Sequence, residues 1–160
     1  MFKFLKNEFW LIKAPRYIII YFIISVLLAG YFYISGEYSI TNNFLSQLGQ
    51  LYVKNDLNLI SFITFNLALI DVGIVLSLFY FNFYNLFKIE LKDSKALKLL
   101  LFTGIFSGIC FAGVGAFPTD IAFTYHLFFA DSAFYCLLIV SVIQTYIIYN
   151  SKFLSNQYAI

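Results

Sequence analysis

Four stretches of this sequence are too long and too apolar to fold in water. Tyr17 to Gly36 carries no charge in 20 residues, and Leu57 to Phe87 carries one, Asp71. Leu99 to Thr119 carries none, and Ile121 to Ser151 has only Asp131 and the single histidine, His126. A helix that crosses a bilayer needs about 20 mostly apolar residues. The runs are continuous rather than alternating, which argues against a membrane β-barrel. They predict transmembrane helices at about 17–35, 59–86, 99–117 and 122–149. The expected fold is all-α: one transmembrane domain over residues 1–160, a polytopic bundle of four helices with a short amphipathic outer helix.

Composition agrees. Only 11% of the residues are charged and 62% are hydrophobic, where soluble domains run near 25% charged. The first apolar run is too long for a signal-peptide core and no A-x-A site follows it, so it reads as an uncleaved anchor. Lys3, Lys6, Lys13 and Arg16 precede the first helix, Lys88, Lys92, Lys95 and Lys98 lie between the second and third, and Lys152 follows the fourth. With four spans these share one side, and only Lys54 falls on the other. The positive-inside rule then places both termini in the cytoplasm of a multi-pass cell-membrane protein. The net charge of +2 reports topology, and no basic patch suited to nucleic acid appears.

The segment 1–16 alternates Lys with Phe, Leu and Trp10, as an interfacial segment would, and Pro15 is expected to part it from the first helix. In the outer loop 36–58, Phe44, Leu48, Leu51 and Tyr52 recur at helical spacing, which predicts an amphipathic surface helix capped by Ser39 or Thr41. Residues 88–98 read as a solvated connector. In the third helix Gly104, Gly108, Ala112 and Ala116 recur every four residues, the pattern of closely packed membrane helices. The Gly104, Gly108, Ala112 face is also a candidate contact for a second copy or for a subunit of a membrane complex. Cys110 and Cys136 differ in depth by roughly 10 Å, too far for a disulfide, and are expected to be free and buried.

Ionisable residues inside a membrane are costly and mark candidate sites. Asp71 lies roughly 18 Å below the outer end of its helix and Asp131 roughly 14 Å below that of its own. If their helices face each other, the two carboxyls can share a proton, as a proton-coupled transporter or channel would need. His126 is shallower and joins an outer polar layer with Asp120, Glu37, Asn42 and Asn43, with Ser46 and Asn66 nearby. Pro118 ends the third helix, and Asp120 or Thr119 is expected to cap the fourth. As an enzyme acting on lipid head groups, the chain would use His126 as general base with Asp120 orienting it. No HExxH, GxSxG, CxxC, Walker or GxGxxG motif occurs. One histidine excludes a multi-histidine metal or haem site within the chain, and no cofactor is called for.

The stretch "NNFLSQLG", the turn "GAFPTD" and the run "HLFFADSAF" together resemble the prokaryotic membrane-protein family called domain of unknown function 998. More distantly, the chain resembles multi-helix proteins of the Frag1/DRAM/Sfk1 type, some linked to lipid remodelling. The resemblance covers residues 20–145 and rests on Asn43, Ser46, Leu48 and Gly49, on Gly115, Phe117, Pro118 and Asp120, and on His126 and Ala130. It implies that these three polar patches belong together. Relatives often have more helices, and Gln47 stands where an Asp is common. The leading expectation is a non-enzymatic protein that binds membrane lipids or a small ligand, or serves assembly. Its ligand side chains would be Asn42, Asn43, Ser46, Asn66, Asp120 and His126.

Overall fold

The computed structural model of the chain describes residues 9–34, 38–92 and 94–152. Glu37 and most of the amino-terminal basic-aromatic segment lie outside them. The fold is all-α, with four helices long and apolar enough to cross a membrane. They are α1 (Ala14–Tyr31), α2 (Leu59–Leu91), α3 (Lys95–Ala116) and α4 (Phe123–Asn150). Large apolar side chains such as Ile19, Ile23, Phe102, Phe134 and Leu138 point outward and are exposed. Such a surface is stable only away from water, against lipid or another apolar surface. The end carrying residues 38–58 and the α3–α4 turn is called the outer end below, following the positive-inside expectation.

The helix ends differ from those predicted. Pro15 does not part the first segment from α1. A π-helical turn, Phe9–Lys13, runs directly into the helix, and Pro15 sits in the first turn of α1. Proline lacks the N–H that would bond four residues back and crowds the carbonyl there; a widened turn is one way to absorb both effects. α2 continues to Leu91 and α3 begins at Lys95, so most of the expected connector 88–98 is helical. Hydropathy marks where lipid ends, not where a helix ends. The Ser94 hydroxyl accepts from the Leu97 amide at 3.2 Å and starts α3.

The main helix contacts are α2 with α3, α3 with α4, and α1 with α2. Two apolar clusters hold them. The outer one joins Ala29 and Tyr33 to Leu48, Val53, Phe65 and Leu69. The inner one joins Tyr80, Phe83 and Phe87 of α2 to Leu97 and Leu100 of α3 and to Val140, Ile147 and Ile148 of α4. Glu90, at the inner end of α2, accepts from the Ser151 hydroxyl at 2.6 Å and ties down the end of α4.

Between the clusters α2 and α3 meet backbone to backbone. A Cβ on Gly73 would lie 2.3 Å from the Gly108 carbonyl oxygen, and one on Gly104 would lie 2.2 Å from the Tyr80 ring. The small-residue face of α3 is therefore taken by α2. The expected contact with another chain through Gly104, Gly108 and Ala112 meets a face already covered from within. Cys110 and Cys136 are free and buried.

The outer loop also differs. Its expected amphipathic helix is a single 3-10 turn, Leu45–Gly49, followed by a small hairpin of β1 (Tyr52–Val53) and β2 (Asp56–Leu57). Lys54 and Asn55 at its tip have φ of 51° and 73°, the left-handed pair that a two-residue hairpin turn requires. The apolar stripe is split: Leu48 is fully buried, while Phe44 is 79% exposed.

Candidate functional site

At the outer end, Asn58 just before α2 and Ser61 and Asn66 within it hold the main chain of residues 48–51. The Ser61 hydroxyl donates to the Leu48 carbonyl at 2.9 Å, and the Asn66 amide donates to the Gly49 carbonyl at 2.9 Å. The Asn58 side-chain amide donates to the Gln50 carbonyl at 2.9 Å, and its backbone N–H to the Leu51 carbonyl at 2.8 Å. The Asn58 side-chain oxygen also accepts from the Ile34 amide at 3.1 Å, which draws in the end of α1. Four successive carbonyls are thereby satisfied in a place largely closed to water, as buried main-chain groups must be. Gly49 is required here: a Cβ would lie 2.5 Å from the Asn66 side-chain oxygen.

Asp120 completes this clasp from the α3–α4 turn. One of its carboxylate oxygens accepts from the Leu51 and Tyr52 amides at 3.0 and 2.9 Å. It does not cap α4, whose first turn has no side-chain cap. His126 is buried, and its Nδ1 meets the Phe117 carbonyl at 2.8 Å. A carbonyl only accepts, so Nδ1 carries the proton. His126 thus satisfies a carbonyl at the end of α3, while Phe117 stacks on Phe129 with ring centroids 5.3 Å apart. The expected His126–Asp120 pairing is not formed, because each side chain bonds to backbone instead.

Asn42 and Asn43 do line a cavity. An open cleft of about 560 Å³ lies beside the clasp, bordered by Ser39, Asn42, Asn43, Gln47 and Gln50, with Tyr33, Tyr52, Val53 and Lys54. This volume lies in the range of small-molecule sites. Asn43 is fixed within it: its oxygen accepts from the Ser39 amide at 3.0 Å and its amide donates to the Gln47 oxygen at 2.8 Å. That bond leaves the Gln47 NH2 group as a donor. Burial pushes the Tyr33 phenol above its usual range, so it also stays a donor. Lys54 adds a cation, and among the described residues no carboxylate borders the cleft.

The six expected ligand residues therefore separate. Asn42 and Asn43 line the cleft. Asn66, Asp120 and His126 hold backbone, and Ser46 sits half-buried in the 3-10 turn outside the lining. Asn58, Ser61, Gln47, Gln50, Tyr33 and Lys54 were missed. Lys54 had a signal: it is the one basic residue that the positive-inside expectation sets apart from the rest.

The intramembrane carboxyls do not form a pair. Asp71 is half-buried and lies beside the Tyr21 hydroxyl of α1. Asp131 is exposed on α4. Their helices both pack on α3, which turns the two groups to different neighbours.

If His126 is a structural ligand of a helix end, His126→Phe should lower stability by about 1–2 kcal/mol, the cost of an unpaired carbonyl. Thermal unfolding in detergent measures this. Among known proteins, no family model, no curated protein and no solved structure matches this chain.

Proposed function

We propose that the chain is a non-enzymatic multi-pass membrane protein, both termini cytoplasmic, that binds the phosphate-bearing head group of a lipid in the outer cleft. The cleft itself carries the reading. It offers the Gln47 amide, the Tyr33 hydroxyl, the Asn42 and Gln50 amides and the Lys54 ammonium around one cavity, with no carboxylate among the described residues at its border. Such a set suits an anion surrounded by hydroxyls. Ile40 is 75% exposed and Phe44 79% exposed on the same loop. Apolar side chains beside a polar cleft anchor it at head-group depth, which favours a lipid over a solute from bulk water.

The enzyme reading has less support, since His126 and Asp120 are each committed to main-chain groups. Kinship with the domain of unknown function 998 family is part of the proposal. Its support is that Asp120 of the "FPTD" turn bonds to residues just after the "NNFLSQLG" segment.

The test is mass spectrometry of lipids that co-purify with the wild type and with a Gln47→Ala, Lys54→Ala double variant. One lipid class should fall about tenfold in the variant, as loss of a charge-assisted hydrogen bond implies. Identical profiles would refute the head-group site.

A further inference from the structure

The outer face of α4 carries a polar group that lipid does not satisfy. The uncharged stretch of α3, Leu99 to Phe117, spans about 28 Å, close to the hydrocarbon thickness of about 30 Å. Phe117 therefore marks the outer limit of the apolar layer, and His126 is level with it through the Nδ1 contact at 2.8 Å. Asp131 lies five residues further in, about 7 Å deeper. It is exposed, and among the described residues it has no hydrogen-bond or ion-pair partner. Asp71, by contrast, is covered by α1 and faces Tyr21.

Carboxyls at membrane depth face a protein interior or pair with another group. Around Asp131 the same helix face presents Phe128, Tyr135 and Leu138, which are 58%, 70% and 66% exposed. Their spacing of three and four residues makes one continuous stripe. The apolar surface of α1, with Ile19, Ile20 and Ile23 outward, needs nothing but acyl chains. The α4 stripe needs a hydrogen-bonding partner at one depth.

We infer that the Asp131 stripe of α4 is the contact between two copies of this chain. The argument for a second copy is chemical. Two carboxyls that meet on a two-fold axis share a proton and bond to each other, so the group is its own complement. Among the described residues no Lys or Arg lies at that depth: they fall at the helix ends or at the hairpin tip. Asp131 on one copy therefore finds Asp131 on the other, with Tyr135 and Phe128 packing beside it. This contact is independent of the head-group cleft, which opens at the loops.

Subunit counting by single-molecule photobleaching, on the full chain in liposomes of defined lipid, tests it. Wild type should bleach in two steps. Asp131→Asn should too, because two amides also pair donor to acceptor. Asp131→Leu should weaken association about tenfold and bleach mostly in one step. Oxidative cross-linking reads the face directly: Tyr135→Cys should link two copies, and Phe102→Cys, on the lipid face of α3, should not. A wild type that bleaches in one step, as expected if the partner were a basic helix of another protein, overturns the inference. So does an Asp131→Leu variant that keeps two steps, or linking at Phe102→Cys but not at Tyr135→Cys.

Discussion

Gly73→Ala is expected to destabilise the protein by about 2–3 kcal/mol, the cost of overpacking a contact that cannot yield. The added Cβ would lie 2.3 Å from the Gly108 carbonyl oxygen and 2.7 Å from the Ala112 nitrogen. Both are backbone atoms in the middle of α3, so relief requires α2 and α3 to move apart. That separation would loosen the inner and outer apolar clusters together, because α2 and α3 contribute to both. Gly30→Ala is the control. Its nearest neighbour would be a Tyr38 ring carbon at 3.5 Å, an ordinary contact. There the gain in helix propensity, about 0.5–1 kcal/mol, should dominate and stabilise. Unfolding of both variants in detergent, followed by circular dichroism, should give opposite signs. Equal stability of Gly73→Ala and wild type would mean that the two helices are not in backbone contact.

Asn58→Ala should have an effect at least as large, about 3 kcal/mol. The side chain is 1% exposed and serves both the Ile34 amide and the Gln50 carbonyl. Its loss leaves two main-chain groups without partners, each costing about 1–3 kcal/mol when water cannot replace the bond. The outer loop should then detach locally, and amide exchange at residues 50–53 should accelerate. Asp120→Ala removes two bonds as well, at 3.0 and 2.9 Å, but at an exposed position where water substitutes. It should cost about 1 kcal/mol. A reversed order of the two variants would show that the clasp is held from the α3–α4 turn rather than from the start of α2.

Much of the fold was legible because a bilayer leaves few options. A run of about 20 apolar residues must be a helix there, since every main-chain group has to bond within the segment. The helix ends were less legible. Lys88, Glu90, Lys95 and Lys98 are polar, yet they continue helices beyond the apolar layer. The outer loop misled for a different reason. Phe44, Leu48, Leu51 and Tyr52 have helical spacing, but Gly49 is packed against Asn66, and the turn at Lys54 and Asn55 closes a hairpin. Both are contacts or conformations that periodicity does not register.

The candidate site was half legible. The polar residues of the outer layer do gather at one end, as topology required. Their roles could not be read, because a side chain that bonds to distant main chain leaves no mark in spacing. Asn66, Asp120 and His126 are near one another in polarity and depth, yet each bonds to distant main chain.

Residue type and run length alone determined the four helices, each long and apolar enough to cross a membrane. The tertiary structure decided which polar groups are spent on backbone and which line the outer cleft, and that α2 packs on the small-residue face of α3. The physical reason is range. Transfer from water to lipid is a sum over local segments, whereas hydrogen-bond pairing and close packing depend on which distant segments meet.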